Sequence, residues 1–494
     1  MSEHDPRGLA PDAPLLAAWA GFVDGVDAGS VTPFTIPGHK QRTDLVGDVV
    51  RGDVPLFAGL DTMKQSVGRL ADAERRAAEA WGVDWCRFSV GGATHANQAA
   101  VLSIGAPGRP VVVSRTLHRS VLLGLVYAGL TPVWVRPELD PSTGLPGAVR
   151  PEAVADALAA YPDACGVLIG DPSYVGTRSD IPALAGVAHA AGVPLVVDAA
   201  WAAHFGFSSS VPQHALALGA DVLVTSAHKM LPAWSQGAII AARTTRAGGL
   251  VDPDRLDRAF EAGNTTSPSG AILASMDAAR ALMQRDGEDL IRGLVGLVTH
   301  ARRALSAVPG IRVLETTSTL DVDPAKLVVL VAGTGAHGHD VEADLLERGV
   351  PLEMADRDVL IPVITVADDA ASVARLIDAL TESIGRRRGA PREVRGSAAW
   401  SVQPGTAVDP RAAFFAEHET VDAAEAIGRV SAELIAPYPP GVPVLAPGET
   451  ITREALAALT EARADGGRIA YAADPTLRTL QVLATPPGEL GSRL

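Results

Sequence analysis

The chain has 494 residues, too many for one hydrophobic core, so two or three domains are expected. Apolar content of 47% and charged content of 20% are those of an ordinary globular protein and exclude a largely disordered one. A formal net charge of -15 without a dense Lys/Arg field argues against nucleic acid as a partner.

Cys86 and Cys165 are the only cysteines, and neither belongs to a CxxC pair. That argues against a disulfide framework or a zinc site, and no His/Cys/Asp/Glu cluster has metal-ligand spacing. The opening MSEHDPRGLAPDAP is acidic and proline-bearing where a signal peptide needs a basic and then an apolar region. No uninterrupted apolar run reaches the ~18 residues of a spanning helix. A soluble, cytoplasmic protein with no membrane partner is expected.

TIPGHKQ, Thr35 to Gln41, is a polar turn near the N-terminus. From about Trp81 to Ile240 short apolar runs alternate with helical patterns. FSVGGATHANQAA, from Phe88, places Gly91 and Gly92 in a turn, with Ala93, Thr94 and His95 ahead of a helix. Backbone N–H groups at a helix start, with the Thr94 hydroxyl, make a natural phosphate seat. Most glycine turns before helices simply cap, and no GK[ST] follows, so this is not a nucleotide P-loop.

RPVVVSRT, GLTPVWVRP, ACGVLIGDPS, GVPLVVDAAW and ADVLVTSAHK have the length and β-branched content of buried strands. IPALAGVAHAAG, closed by Gly192 and followed by Pro194, is a punctuated helix. Such alternation predicts an α/β fold with a mostly parallel central sheet flanked by helices. Ligands of these sheets bind beyond the carboxyl ends of the strands, where Ser173, Asp198, Ser226 and Lys229 fall.

Lys229 and Asp198 lie about thirty residues apart at the ends of successive strands. A Schiff-base enzyme needs an amine that forms an imine with a carbonyl cofactor. Pyridoxal 5'-phosphate also needs a carboxylate opposite its ring nitrogen, because the protonated ring is the better electron sink. Alone, Asp198 could be a helix N-cap and Lys229 a surface charge; together they are harder to dismiss. His118, after VVVS, could place an imidazole on a cofactor, although a lone histidine is more often structural. His228 could serve proton transfer or orient its neighbour. Trp201 and His204 could line a pocket or pack in the core.

After Gly263 the polar NTTSPS leads into a long helix and a smaller unit. Its strands are expected near LVVLVAG and VLIPVIT, and a helix at ASVARLIDALTESI. RRRGAPREVRGS, from Arg386, reads as a solvated connector. The expected organisation is an N-terminal arm over 1–60, a large cofactor domain over 61–270 and a small α+β domain over 271–385. A linker over 386–396 and a C-terminal α+β domain over 397–494 complete it.

Taken together, TIPGHK, GGATHAN, SRTLHRS, DPSYVG, VVDAAW, SAHKMLPAWSQGA, TTSPSGAILASMDAAR, GHDVEADLLERGVPLEMAD and AELIAPYPPGVPVLAPGE resemble the Orn/Lys/Arg decarboxylases. These are pyridoxal-phosphate enzymes of the aspartate-aminotransferase fold type, fold type I. The likeness is to the short members, without an N-terminal wing domain. It implies decarboxylation of lysine, ornithine or arginine to a diamine or agmatine, with Lys229 as the Schiff-base lysine and Asp198 as the ring-nitrogen partner. It also implies His118 stacked on the ring, Trp201 beside it, and Ala93, Thr94, His95 and Ser226 around the phosphate. His228 or Lys229 would return the proton to Cα. A homodimer with its active site at the subunit interface is implied too, the Thr265–Ser269 turn contributing from the neighbour, with larger rings open. Two departures stand out: Gly91, where many members have asparagine, and DAAWAAH, where short members more often have a histidine-bearing segment. An aminotransferase, a decarboxylation-coupled oxidase and a catalytically silent homologue therefore stay open. For the substrate's distal cation the candidate carboxylates are Glu353, Asp356 and Glu449.

Overall fold

The computed structural model describes residues 6–56, 59–60, 68–396, 400–438 and 441–485. The first residues of the opening segment, Ser397 at the expected domain boundary, and Pro439 and Pro440 of the PYPPG segment lie outside them. The chain divides into two units, Met1–Ser103 with Val196–Arg292 and Ile104–Leu195 with Gly293–Leu494.

The strand Leu195–Asp198, which belongs to the first unit from Val196 on, pairs in parallel with Val222–Thr225, Asp198 lying opposite Val224. Every residue of both strands is buried, as expected of strands covered on two faces. Ala238–Ala242 then returns antiparallel to Val222–Thr225 and pairs antiparallel with Trp85–Ser89. The reversal has a local cause. A parallel return needs a crossover, usually a full helix, and the connection here holds only the four-residue helix Ala227–Met230. That helical turn carries His228 and Lys229 directly off the end of a strand.

The helix following Trp85–Ser89 spans Gly92–Ile104. It starts earlier than the sequence suggests: Ala93, Thr94 and His95 form its first turn. Gly92 adopts φ +72°, a left-handed value open to glycine, and lets the strand turn directly into the helix. The expected helix after NTTSPS is Gly270–Ser306, whose 37 residues continue past the division at Arg292.

In the second unit Pro110–Ser114 pairs in parallel with both Thr131–Val135 and Val167–Gly170. The intervening helices include Arg119–Ala128 and Pro151–Ala160, and Ile181–Ala190 follows the last of these strands. The expected small α+β part is a four-stranded antiparallel sheet built from Arg312–Val313, Val329–Leu330, Val359–Ile361 and Met354–Ala355. Helices Gly338–Glu347 and Ala370–Arg386 accompany it. Further on, His418–Asp422 pairs with Thr479–Leu483, and Ala436–Tyr438 with Arg468–Ala470. Ile435, Val444, Leu445, Leu459 and Leu480 form a separate core there. The fold is thus α/β, with mostly parallel pairing among the central strands and smaller α+β elements after them. Among the described residues no helix is long and apolar enough to cross a membrane.

Candidate active site

The first unit brings together most of the residues singled out in the sequence. Asp198 ends its strand and is buried. Its Oδ2 accepts a hydrogen bond from the side-chain amide of Asn97 at 2.9 Å. Its Oδ1 is also buried and has no hydrogen-bond partner among the described residues. Burial pushes the carboxyl above its ordinary range; the charge of Lys229, the Asn97 hydrogen bond and the nearby Ala200 N–H oppose that rise. A partly satisfied buried carboxylate is costly unless a further donor or cation completes it.

Lys229 sits in the short helix beyond the next strand, half-buried, with its ammonium 4.3 Å from the centre of the Trp201 ring. Trp201 is itself buried, so the indole face and the Lys229 charge form one packed feature. Ser226, the N-cap residue of that helix, is buried, and its carbonyl accepts from the Lys229 N–H. His228 Nδ1 lies 2.9 Å from the Gly237 carbonyl, which can only accept. The proton therefore stays on Nδ1, and Nε2 is the nitrogen open to exchange. His204 is fully buried with its ring edge-on to Phe205.

At the start of the Gly92–Ile104 helix, the Gly92 N–H donates to the Gln236 carbonyl. The Ala93 and Thr94 N–H groups have no acceptor among the described residues, and Thr94 is exposed. First-turn donors of this kind favour an anion. His95 points inward instead. Its Nδ1 is 2.9 Å from Ser89 Oγ, its Nε2 is 2.9 Å from the Phe260 carbonyl, and its ring packs on Phe260. Burial holds its pKa below the ordinary value, against the pull of the Phe260 carbonyl. A Cβ on Gly91 would stand 2.8 Å from the His95 Cβ, so an asparagine at 91 and this histidine cannot both keep these positions.

The TIPGHK and TTSPS segments line a common pocket of about 540 Å³, through Ile36, Pro37, Thr266 and Pro268, with Asp53 beside them. In the second unit, exposed His118 is the N-cap of Arg119–Ala128, its Nδ1 accepting from the Ser120 N–H.

Glu449 is corrected as a candidate for a substrate cation. It is buried and paired through both oxygens with Arg115, and it accepts from the Ala446 N–H. Asp356 Oδ1 accepts from the Asp358 and Val359 N–H groups and so holds a turn. Glu353 is exposed and accepts from the Tyr174 hydroxyl at 3.2 Å. Asn97 stands within GGATHAN and Arg115 within SRTLHRS, and neither role is evident from the sequence. A polar amide among alanines on a buried helix was the available sign of the first.

The residues present fit pyridoxal phosphate: an open buried carboxylate oxygen, a lysine at the next strand end, and free first-turn amides. Residues 23–346 match the family model for the major domain of Orn/Lys/Arg decarboxylases, and residues 395–463 match the model for their C-terminal domain. An arginine decarboxylase of Halalkalibacterium halodurans is 34% identical over 91% of this chain and 94% of its own length. One from Bacillus subtilis is 31% identical with the same coverage. The lysine decarboxylase LdcF of Francisella novicida superposes with a TM-score of 0.79 at 20% identity, over 95% of this chain and 81% of its own, a likeness of fold. The two domain matches and the full-length relatives place this chain in the Orn/Lys/Arg decarboxylase family, as a decarboxylase.

Proposed function

We propose that the protein is a pyridoxal-phosphate-dependent α-decarboxylase of a basic amino acid, with arginine the preferred substrate and agmatine the product. The observation that carries this reading is Asp198, buried with one oxygen unpartnered, on the strand paired in parallel with the one that delivers Lys229. The names of the relatives, arginine decarboxylases at 31% and 34% identity, support arginine over lysine or ornithine.

When bound, pyridoxal phosphate supplies the electron sink that takes up the pair left as the Cα–carboxylate bond breaks. Lys229 provides the amine that holds the cofactor covalently. Asp198 keeps the ring nitrogen protonated by accepting its hydrogen bond. The Ala93 and Thr94 amides, with Ser226, cradle the phosphate. Trp201 walls the amine from water on one side. The Lys229 ammonium and His228 Nε2 are the two groups that can hand a proton to Cα. His118 belongs to this set on the strength of the family likeness, and His118→Ala tests it. A homodimer, with the Thr265–Ser269 turn serving a neighbouring site, is part of the same reading and is checked by light scattering.

The direct experiment incubates purified protein and pyridoxal phosphate with arginine, lysine and ornithine separately and identifies the products by mass. Agmatine and CO₂ from arginine support the reading. A keto acid or aldehyde would replace it with transamination or oxidative decarboxylation. No turnover of any of the three would sink it.

A further inference from the structure

We infer that Asn97 is a positioning residue for the cofactor: its amide occupies Asp198 Oδ2 and thereby reserves Oδ1 for the ring nitrogen. The inference rests on the pyridoxal-phosphate reading above and deepens it. Asn97 and Asp198 are 101 residues apart in sequence, and both are buried. Their hydrogen bond, at 2.9 Å, is a full-strength contact. It occupies one carboxylate oxygen while the other is left buried and unpartnered.

The chemistry favours an amide over a cation at this place. An arginine or lysine on Oδ2 would neutralise the carboxylate and weaken its hold on a protonated ring nitrogen. A neutral donor fixes the rotamer and leaves the negative charge in place. An apolar residue would strip Oδ2 of the Asn97 hydrogen bond and free the carboxylate to turn.

Asn97 also lies four residues after Ala93 on one helix, so both share a face and stand about 6 Å apart along the axis. The same helix therefore offers amides to an anion at its first turn and orients the carboxylate one turn later. Through it, phosphate seat and ring-nitrogen partner are held in one rigid element.

The test uses wild-type protein and the variants Asn97→Leu and Asn97→Asp, each loaded with pyridoxal phosphate carrying ¹⁵N in its ring. Ring-nitrogen chemical shift and cofactor dissociation rate are read across pH 6–9, with circular dichroism as the check on folding. In Asn97→Leu the ring nitrogen is expected to shift toward its unprotonated value and the cofactor to leave at least tenfold faster. Asn97→Asp keeps the shape of the residue. Its carboxyl donates to Asp198 only while protonated, so ring protonation and retention are expected to fall as pH rises, where wild type stays flat. This second variant decides the matter if Asn97→Leu does not fold. A ring-nitrogen shift and dissociation rate in Asn97→Asp matching wild type at every pH would overturn the inference, because a merely structural asparagine predicts that result. If wild type itself takes up no cofactor that borohydride fixes to Lys229, the underlying reading falls and this inference falls with it.

Discussion

The ammonium of Lys229 rests 4.3 Å from the centre of the Trp201 indole ring, and Trp201 is buried beneath it. A cation over an indole face gains about 0.5–2 kcal/mol, more as water is excluded. The contact favours the charged amine and restrains it. Trp201→Leu should therefore make Lys229 more nucleophilic in the cofactor-free protein. Labelling by an acylating reagent at pH 8, followed by peptide mass, is expected to run about 2- to 30-fold faster in that variant. Trp201→Phe should fall between the two. Equal labelling rates in all three proteins would mean that the ring is only packing.

Arg115 and Glu449 form a buried pair, with Nη2 at 2.9 Å from Oε2. The Arg115 guanidinium also lies 4.8 Å from the Trp134 ring centre and donates to the Val444 carbonyl at 3.0 Å. Removing one partner of such a pair leaves the other charge buried, a cost of about 3–5 kcal/mol. Glu449→Ala is thus expected to lower the thermal midpoint well below wild type. The double variant Arg115→Met/Glu449→Leu should recover much of that loss, since an apolar pair strands no charge. A Glu449→Ala midpoint within a degree of wild type would refute the energetic role.

That the placement of Asp198 and Lys229 at strand ends is legible in the sequence, while the contacts of Asn97 and Arg115 are not, has a physical basis. Parallel strands are covered on both faces, so PVVVS, VLIG, LVVD and VLVT stand out as short continuous apolar runs. The polar residue that ends such a run is visible at once. AIIAA has the same apolar character but runs antiparallel, because direction is set by the connection and not by the strand itself. Asn97 and Arg115 owe their roles to partners 101 and 334 residues away. Nothing local in a single sequence records those contacts, so Glu449 looked as available as Glu353. The helix start at Gly92 was hidden for a related reason. GGATHAN reads as a turn until a left-handed Gly92 shows that the helix begins at once.

Gly91 is explained by His95. The imidazole is held between Ser89 and Phe260; a Cβ on Gly91 would stand 2.8 Å from the His95 Cβ, and one on Gly263 2.9 Å from the ring. Gly91→Asn should displace the ring and lose two hydrogen bonds, a cost of about 1–3 kcal/mol. Gly91→Asn/His95→Gly should be more stable than Gly91→Asn alone, because it removes the Cβ that the new side chain would meet at 2.8 Å. Chemical denaturation of the two variants checks this; the reverse ordering would show that the histidine is not the obstacle.

Glu74 gives the protein a predictable response to pH. Its carboxyl is buried, accepts from the Phe88 N–H at 3.1 Å, and lies 3.7 Å from the Arg87 guanidinium. Burial wins over both, and pushes the carboxyl from 4.5 up to about 7; nearby Asp257 and Glu261 add to the rise. The sign follows from linkage. Below the unfolded value the group is protonated in both states, and its contribution to stability is fully present. As pH climbs toward and through about 7, the unfolded chain ionises first and stability is lost. A shift of this size corresponds to about 3 kcal/mol between pH 4.5 and pH 8. Glu74→Gln keeps an acceptor for Phe88 but cannot ionise. It should match wild type near pH 4.5 and exceed it at pH 8 by up to that amount. Asp171, also raised to about 7 by burial, keeps its own pH slope in both proteins, so the difference between them belongs to Glu74. Thermal midpoints at half-unit pH steps from 4.5 to 8 test this, and parallel curves for the two proteins would show that Glu74 is ionised throughout.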